Sequence, residues 1–319
     1  MTPPLMTGMN NKLVTLIGGG GFLGRYVAQA LLQAGARVRI AQRDPRRAFF
    51  LKPLGGLGQT QFVAADVTRP DTIARAVEHA DGVVNLVGSF AGDLQRIHVD
   101  GARAVAEAAS RLGVGALVHV SAIGADAESA SNYARTKGEA EAAVRDAFAN
   151  ATILRPSTVF GREDQFINRF AGMIAKLPVV PVLRANARFQ PVYVGDVANA
   201  VVAGLGDPQR FGGETFELGG PEVLTMLEIQ QRIASHIARS PTFLPLPDAV
   251  GGLLASVPGG PLTGDQWKLL QRDSVVTAGS EGLTAMGLAR TPFDAVALGW
   301  LVRYRKAGRF SLLGDAAKG

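Results

Sequence analysis

The chain has 319 residues, with 33 Lys and Arg against 27 Asp and Glu, so its formal net charge is +6. At 47% hydrophobic and 19% charged residues it carries enough apolar material for a sizeable core, which excludes a disordered or highly charged nucleic-acid-binding arm. It contains no cysteine, which excludes disulfides, a thiol nucleophile and thiolate metal ligation.

Residues 1–12 lack a basic stretch followed by an apolar one, so a cytoplasmic location is expected. The longest apolar stretches, 177–183 and 243–258, are cut by prolines and fall short of the roughly 20 residues needed to cross a bilayer. Residues 13–17 form a β-branched apolar run, followed by glycines and by an amphipathic stretch over 22–34 that stops at Gly35. This predicts strand, glycine turn and helix. The pattern recurs with strands over 37–41, 60–64, 82–87, 116–121 and 151–154, and helices over 72–78, 102–112 and 133–148. Such alternation predicts an α/β chain with a Rossmann-like, doubly wound parallel sheet.

After Pro156 the alternation breaks. A helix at 165–176 and a proline-punctuated 177–183 precede a strand end and helix over 192–205, opened by Asp196, and a short strand at 214–218. The expected Rossmann domain therefore spans 10–161 and is completed by 189–220. Residues 162–188 and 221–319 are left for a smaller, mostly helical C-terminal lobe, with helices at 224–237 and 266–272 and a Pro/Gly-rich stretch at 240–261.

Gly18, Gly21 and Gly24 recur at every third residue just after the first strand. In that setting the first glycine permits a tight turn, the second lets backbone amides approach a pyrophosphate, and the third lets the helix pack against the strand. Phe22, Leu23 and Arg25 complete the candidate cofactor-binding segment. At the end of the second strand Arg43 would suit an adenosine 2′-phosphate, whereas Asp44 would suit a 2′-hydroxyl. The first alternative makes NADP(H) the preferred cofactor, and the second NAD(H). Asp66, with Val67, ends the third strand, placed to meet an adenine or to cap a turn.

Ser121 ends the fifth strand, and Tyr133 and Lys137 stand one helical turn apart on the following helix. An ammonium beside a phenol lowers its pKa toward use as a proton donor or acceptor, and a nearby hydroxyl can orient a carbonyl. Lysine at this place also reaches a nicotinamide ribose. Ser121, Tyr133 and Lys137 are thus both candidate catalytic and candidate cofactor-binding residues, and a set that binds cofactor without turnover has the same spacing. His79, His98, His119 and His236 lack metal-ligand spacing, His119 reads as a structural strand residue, and no metal is expected. Aromatic residues make up 7% of the chain and do not interleave with basic ones, which argues against nucleic acid as a partner.

From about residue 13 to 220 the chain resembles the extended and atypical short-chain dehydrogenase/reductases. The likeness is carried by the glycine motif, Asp66, Asn85-Leu86-Val87-Gly88, Ser121, Tyr133 with Lys137, and Leu154-Arg155-Pro156-Ser157. It implies that Leu86, Val87 and Gly88 line the adenosine side of the cofactor, and Pro156 and Ser157 the nicotinamide side. A narrower likeness, in residues 156–168, 190–198 and 263–270, is to the NADPH-binding accessory subunits of respiratory complex I and their bacterial relatives. That resemblance implies a structural nucleotide, partner subunits near the membrane-facing arm of the complex, and a peripheral place on the inner membrane. The apolar 243–257 and the basic Arg303, Arg305, Lys306 and Arg309 suit a surface facing anionic lipid or a partner, and equally an ordinary solvated end. The leading expectation is a non-turnover NADP(H)-binding accessory or assembly subunit. The alternatives are a free-standing reductase or nucleotide-sugar epimerase/dehydratase acting on a small-molecule substrate, and a redox-sensing regulator.

Overall fold

In the computed structural model, residues 8–306 and 308 are described, apart from Pro258, Pro261 and Glu281. Strands β1 (Leu13–Ile17), β2 (Arg37–Gln42), β3 (Thr60–Ala64), β4 (Gly82–Asn85), β5 (Ala116–Val120) and β6 (Thr152–Pro156) join Thr215–Leu218 in one sheet. Its order is Thr215–Leu218, β6, β5, β4, β1, β2, β3, and every pairing is parallel. Helices α1 (Phe22–Gln33), α2 (Pro70–Val77), α3 (Gly101–Arg111) and α4 (Asn132–Ala147) alternate with the strands. β5 is buried throughout, as expected of a strand covered on both faces. Val118 lies against Gly204 of the helix Val194–Gly206, while Leu117 joins the cluster of α2, α3 and α4. Since successive side chains alternate faces, His119 points with Leu117 toward the α3 and α4 side.

The strand order reverses between β1 and β4, and the register keeps their ends level: Ile17 pairs with Ala41 and Asn85, and Asn85 with His119. The carboxyl ends of these strands therefore open onto one crevice, the usual ligand place in doubly wound sheets.

By compactness the first unit runs to Pro156 and takes in Val194–Leu218 and Val276–Ala289. The second comprises Ser157–Tyr193, Gly219–Val275 and, among the described residues, the segment from Arg290 to Lys306. Sequence reading placed these boundaries at 161, 189 and 220 and assigned 276–289 to the smaller lobe. The difference arises because Gly282–Ala285 packs on Thr215–Leu218, so closely that a Cβ on Gly282 would sit 2.6 Å from the Glu217 carbonyl oxygen.

The second unit is built mainly from the helices Phe166–Ile174, Met226–His236, Asp248–Ser256, Gly264–Leu270 and Phe293–Leu301. Phe160, Ile167, Ile229, Ile233 and Leu301 are among its fully buried residues. Asp164 is also buried there; it accepts hydrogen bonds from the Gly161 and Ile167 amides, and burial pushes its carboxyl up to about 6. Val179–Leu183 and Thr242–Leu246, which the sequence presents as proline-punctuated stretches, pair as parallel strands. Pro181 and Pro245 are tolerated because the ladder has only two strands and outward-facing positions donate nothing.

Three local features depart from the sequence expectation. β4 stops at Asn85 instead of running to 87, because the Asn85 side chain accepts the Val87 amide (3.1 Å) and turns the chain out of the sheet. A 3-10 helix, Pro45–Leu54, follows β2, with Asp44 as its cap, and a π-helical turn, Gln95–Asp100, leads into α3. No helix among the described residues is long and apolar enough to cross a membrane. Arg309 lies outside the described residues.

Candidate functional site

The glycine turn is built as its spacing requires. Gly18 has φ +82°, a conformation that L side chains rarely adopt, and its amide donates to the Ala41 carbonyl (2.8 Å). Gly24, inside α1, lies so close to Gly19 that a Cβ would be 2.7 Å from the Gly19 Cα. Gly21 starts α1 without a side-chain cap, and the first turn carries no acidic residue. Its free side is open, the nearest atom to an added Cβ being the Gly18 oxygen at 3.4 Å. The leading amides and positive dipole end of α1 thus form an anion cradle that a side chain at Gly21 would fill. Phe22 and Leu23 are half-buried beside it, Phe22 edge-on to Tyr26 at 6.0 Å.

Arg43 is exposed, just beyond β2. The carboxylate of Asp44 accepts the Arg46 amide (3.1 Å) as the cap of the 3-10 helix, so it is already engaged. Arg25 lies over the Phe50 ring at 4.7 Å, a cation–π contact that positions it from α1 toward the same helix. Sequence reading missed Gln42, whose side chain lies across Gly20 and whose Nε2 donates to the Asp44 carbonyl (2.6 Å). It also missed the exposed pair Arg46 and Arg47.

Asp66 takes the turn-capping role: its Oδ1 accepts from both the amide and the hydroxyl of Thr68 (2.9 Å each). The Thr68 amide bond is the main reason its carboxyl titrates below the ordinary range, with Arg43 and Arg69 contributing. Val67 packs where α3 begins, a Cβ on Gly101 falling 2.9 Å from it. Leu86 is fixed by its amide bond to the Ile17 carbonyl (3.0 Å), and Val87 by Asn85. Gly88 is exposed, 4.0 Å from Lys137 Nζ measured at the position of a Cβ.

Ser131 caps α4, which carries Tyr133 and Lys137 on its first turns, and Ser121 follows β5. The Ser121 Oγ is buried and has no hydrogen-bond partner in the structure, an orphaned group of the kind that a bound ligand satisfies. Lys137 is buried, donates to the Val120 carbonyl (2.9 Å), and is pulled down to about 8 by loss of solvent. Its ammonium keeps further donors for a ribose hydroxyl.

The expected lowering of the Tyr133 phenol does not occur. Burial pushes it up to about 12. The physical reason is its surroundings: Phe90 stacks on the Tyr133 ring (centroids 4.3 Å, 16° between planes), and His98 meets it edge-on at 5.5 Å.

Two histidines scattered in sequence belong to this site. His98 Nε2 accepts the Ser89 amide (3.0 Å), which leaves its proton on Nδ1 to donate to Thr136 Oγ1 (2.9 Å). Burial, then Lys137, hold it down to about 4, so it is neutral. His119 Nδ1 accepts from Asn85 Nδ2 (3.2 Å), because the Asn85 oxygen already takes the Val87 amide. Its Nε2 is a second buried polar atom without a partner. On the nicotinamide side expected from the family, Pro156 accepts the Ile123 amide (3.0 Å). Within the second unit the Ser157 hydroxyl donates to the Ser274 carbonyl (2.6 Å) and also contacts the Ser274 hydroxyl (3.0 Å).

Comparison with known proteins gives the family and the fold. The model of the NAD dependent epimerase/dehydratase family matches residues 14–219. The chain belongs to that family. The family match takes in every site residue named above as far as Ser157, and it makes the fold an NAD(P)-binding one. A mouse relative, NADH dehydrogenase (ubiquinone) 1 alpha subcomplex subunit 9, mitochondrial, is 33% identical over 313 residues, covering 93% of this chain and 81% of that protein. A ceramide reductase of Caulobacter vibrioides is 32% identical over 241 residues, 74% of each chain. Among solved structures, an epimerase from Methanothermobacter thermautotrophicus superposes with a TM-score of 0.72 at 17% identity, covering 98% of this chain and 96% of that one. This last likeness concerns the fold alone.

Proposed function

We propose that the chain holds NADP(H) as a resident cofactor and serves as an accessory or assembly subunit of a respiratory NADH:quinone oxidoreductase, bound peripherally at its membrane-facing arm. The observation that carries this reading is the extent of the mouse similarity: 33% identity over 93% of the chain reaches well beyond residues 14–219, which the family shares for nucleotide binding. In this reading the α1 amides hold the pyrophosphate, Arg43 with Arg25 the 2′-phosphate, Lys137 the ribose, and Ser121 Oγ the carboxamide or an adjacent carbonyl. The choice of NADP(H) over NAD(H) is supported by the exposed Arg43 and by the prior engagement of the Asp44 carboxylate in a helix cap. The bound cofactor supplies a hydride. Release of a proton to an acceptor would fall to Tyr133, and its raised pKa supports retention over turnover.

The second reading, a free-standing reductase or nucleotide-sugar epimerase/dehydratase, is favoured by the presence of Ser121, Tyr133 and Lys137 together and by the similarity to the ceramide reductase. Native mass spectrometry of the purified protein, combined with fractionation of membranes, separates the two. Retained NADPH and comigration with the oxidoreductase are expected. An empty or exchangeable site in a soluble oligomer that consumes NADPH with a carbonyl compound would overturn the proposal in favour of the enzyme.

A further inference from the structure

The segment after β4 holds an apolar ring in an unfavourable place. Phe90 is 59% exposed, and the ring it stacks on is that of Tyr133. Its position is nevertheless well fixed. The Ser89 amide is anchored on His98 Nε2, the Ser89 hydroxyl donates to the Ala91 carbonyl (2.7 Å) and accepts the Ala91 amide (3.1 Å), and Gly92 turns the chain at φ +88°. His98 is in turn tied through Thr136 to the first turn of α4, so one hydrogen-bonded frame sets both Phe90 and the helix that carries Tyr133. The frame thus holds the half-exposed ring where it covers one face of the Tyr133 ring.

We propose that Phe90 is a positioning residue that silences Tyr133: stacked face to face on its ring, it walls the phenol off from a carbonyl substrate, so that reduced cofactor is held without being consumed. The inference rests on the reading that the chain holds NADP(H). The reaction prevented is reduction of a carbonyl, in which the carbonyl carbon accepts hydride from the reduced cofactor and its oxygen takes the Tyr133 hydroxyl proton, giving an alcohol and the oxidised cofactor. The buried environment of the phenol agrees with this role. Among the titratable groups, His98 from the 95–100 turn meets the Tyr133 ring edge-on at 5.5 Å and is held neutral chiefly by burial.

Phe90→Ala and Phe90→Trp test it, the second keeping an aromatic stack. In cofactor-free protein the tyrosinate absorbance is titrated, with Tyr133→Phe subtracted to isolate one phenol from the four tyrosines of the chain. Removing the stack should lower the Tyr133 midpoint by about one unit, while Phe90→Trp should titrate as the unaltered protein. In protein loaded with NADPH, a panel of small aldehydes should oxidise the cofactor at least about tenfold faster in Phe90→Ala than in the unaltered or Phe90→Trp protein. An unchanged midpoint, or a lowered midpoint without faster oxidation, overturns the inference. Loss of NADPH from all three proteins overturns the cofactor reading instead, and the titration then still decides whether Phe90 controls the phenol.

Discussion

At the scale of single residues, Arg43 separates the two cofactors. It is exposed, so charge reversal acts on a phosphate placed there and, within the fold, on the Asp66 carboxyl that it helps to depress. Arg43→Glu should weaken NADPH roughly tenfold to a hundredfold and NADH by less than about threefold, as for loss of a charge-assisted bond; isothermal titration with both nucleotides checks it. Equal weakening would remove the 2′-phosphate from Arg43. His98 gives a pH dependence with a definite sign. Its folded pKa of about 4 lies below the unfolded value near 6.5, so the folded state binds fewer protons between them. Its contribution is complete above the unfolded value and is lost as pH falls through the folded one, by at most roughly 3 kcal/mol. Denaturant unfolding between about pH 4 and 7 should show this slope, and His98→Asn should flatten it. Of these residues, Ser121, Tyr133 and Lys137 were legible from spacing on a strand end and a helix turn. Phe90, Gln42 and His98 were not, because each acts through contacts across the fold, with Tyr133, Gly20 and Ser89 respectively, that no local period encodes.

At the scale of elements, α1 and the turn before it distinguish two uses of glycine. At Gly24 a side chain collides with the Gly19 backbone, which cannot yield without moving the helix from the sheet. Gly24→Val should destabilise the fold by about 1–3 kcal/mol in thermal unfolding, from overpacking at a rigid site. At Gly21 the neighbours leave room and φ is −75°, so Gly21→Val should cost the fold about 1 kcal/mol or less while cutting nucleotide affinity more than about tenfold, by filling the cradle. The opposite order of effects would mean that the anion does not bind there. The sheet was readable because β1, β2 and β5 are β-branched runs bounded by glycine or polar residues. Thr242–Leu246 was not: Pro245 inside a short apolar stretch and Pro241 and Pro247 on either side look like a break, and only its partner Val179–Leu183, distant in sequence, makes it a strand.

At the scale of the whole molecule, the net charge of +6 and the similarity that spans 93% of the chain bear on assembly more than on chemistry. If a basic surface contributes to peripheral attachment, raising salt should release the protein from membranes without detergent, because exposed charge pairs are screened within about 10 Å at 0.1 M salt. Quantitative blotting of salt-washed membranes checks this, and retention through high salt followed by release only in detergent would exclude attachment by charge. Tyr133→Phe should leave comigration with the oxidoreductase unchanged, since it removes one hydroxyl and keeps the ring that stacks with Phe90; loss of comigration would tie assembly to the chemistry of the site.

The edge strand Thr215–Leu218 and the segment Val276–Ala289 that backs it complete a sheet whose first strand lies near the other end of the chain. During synthesis the sheet therefore cannot be completed until Thr215–Leu218 and Val276–Ala289 have followed the first six strands out of the ribosome, and until then β6 offers an open edge. A truncated chain ending at Pro156 would carry all the glycines of the cofactor motif and yet expose that edge. Nascent chains of this protein should therefore lean on chaperones until Val276–Ala289 has emerged.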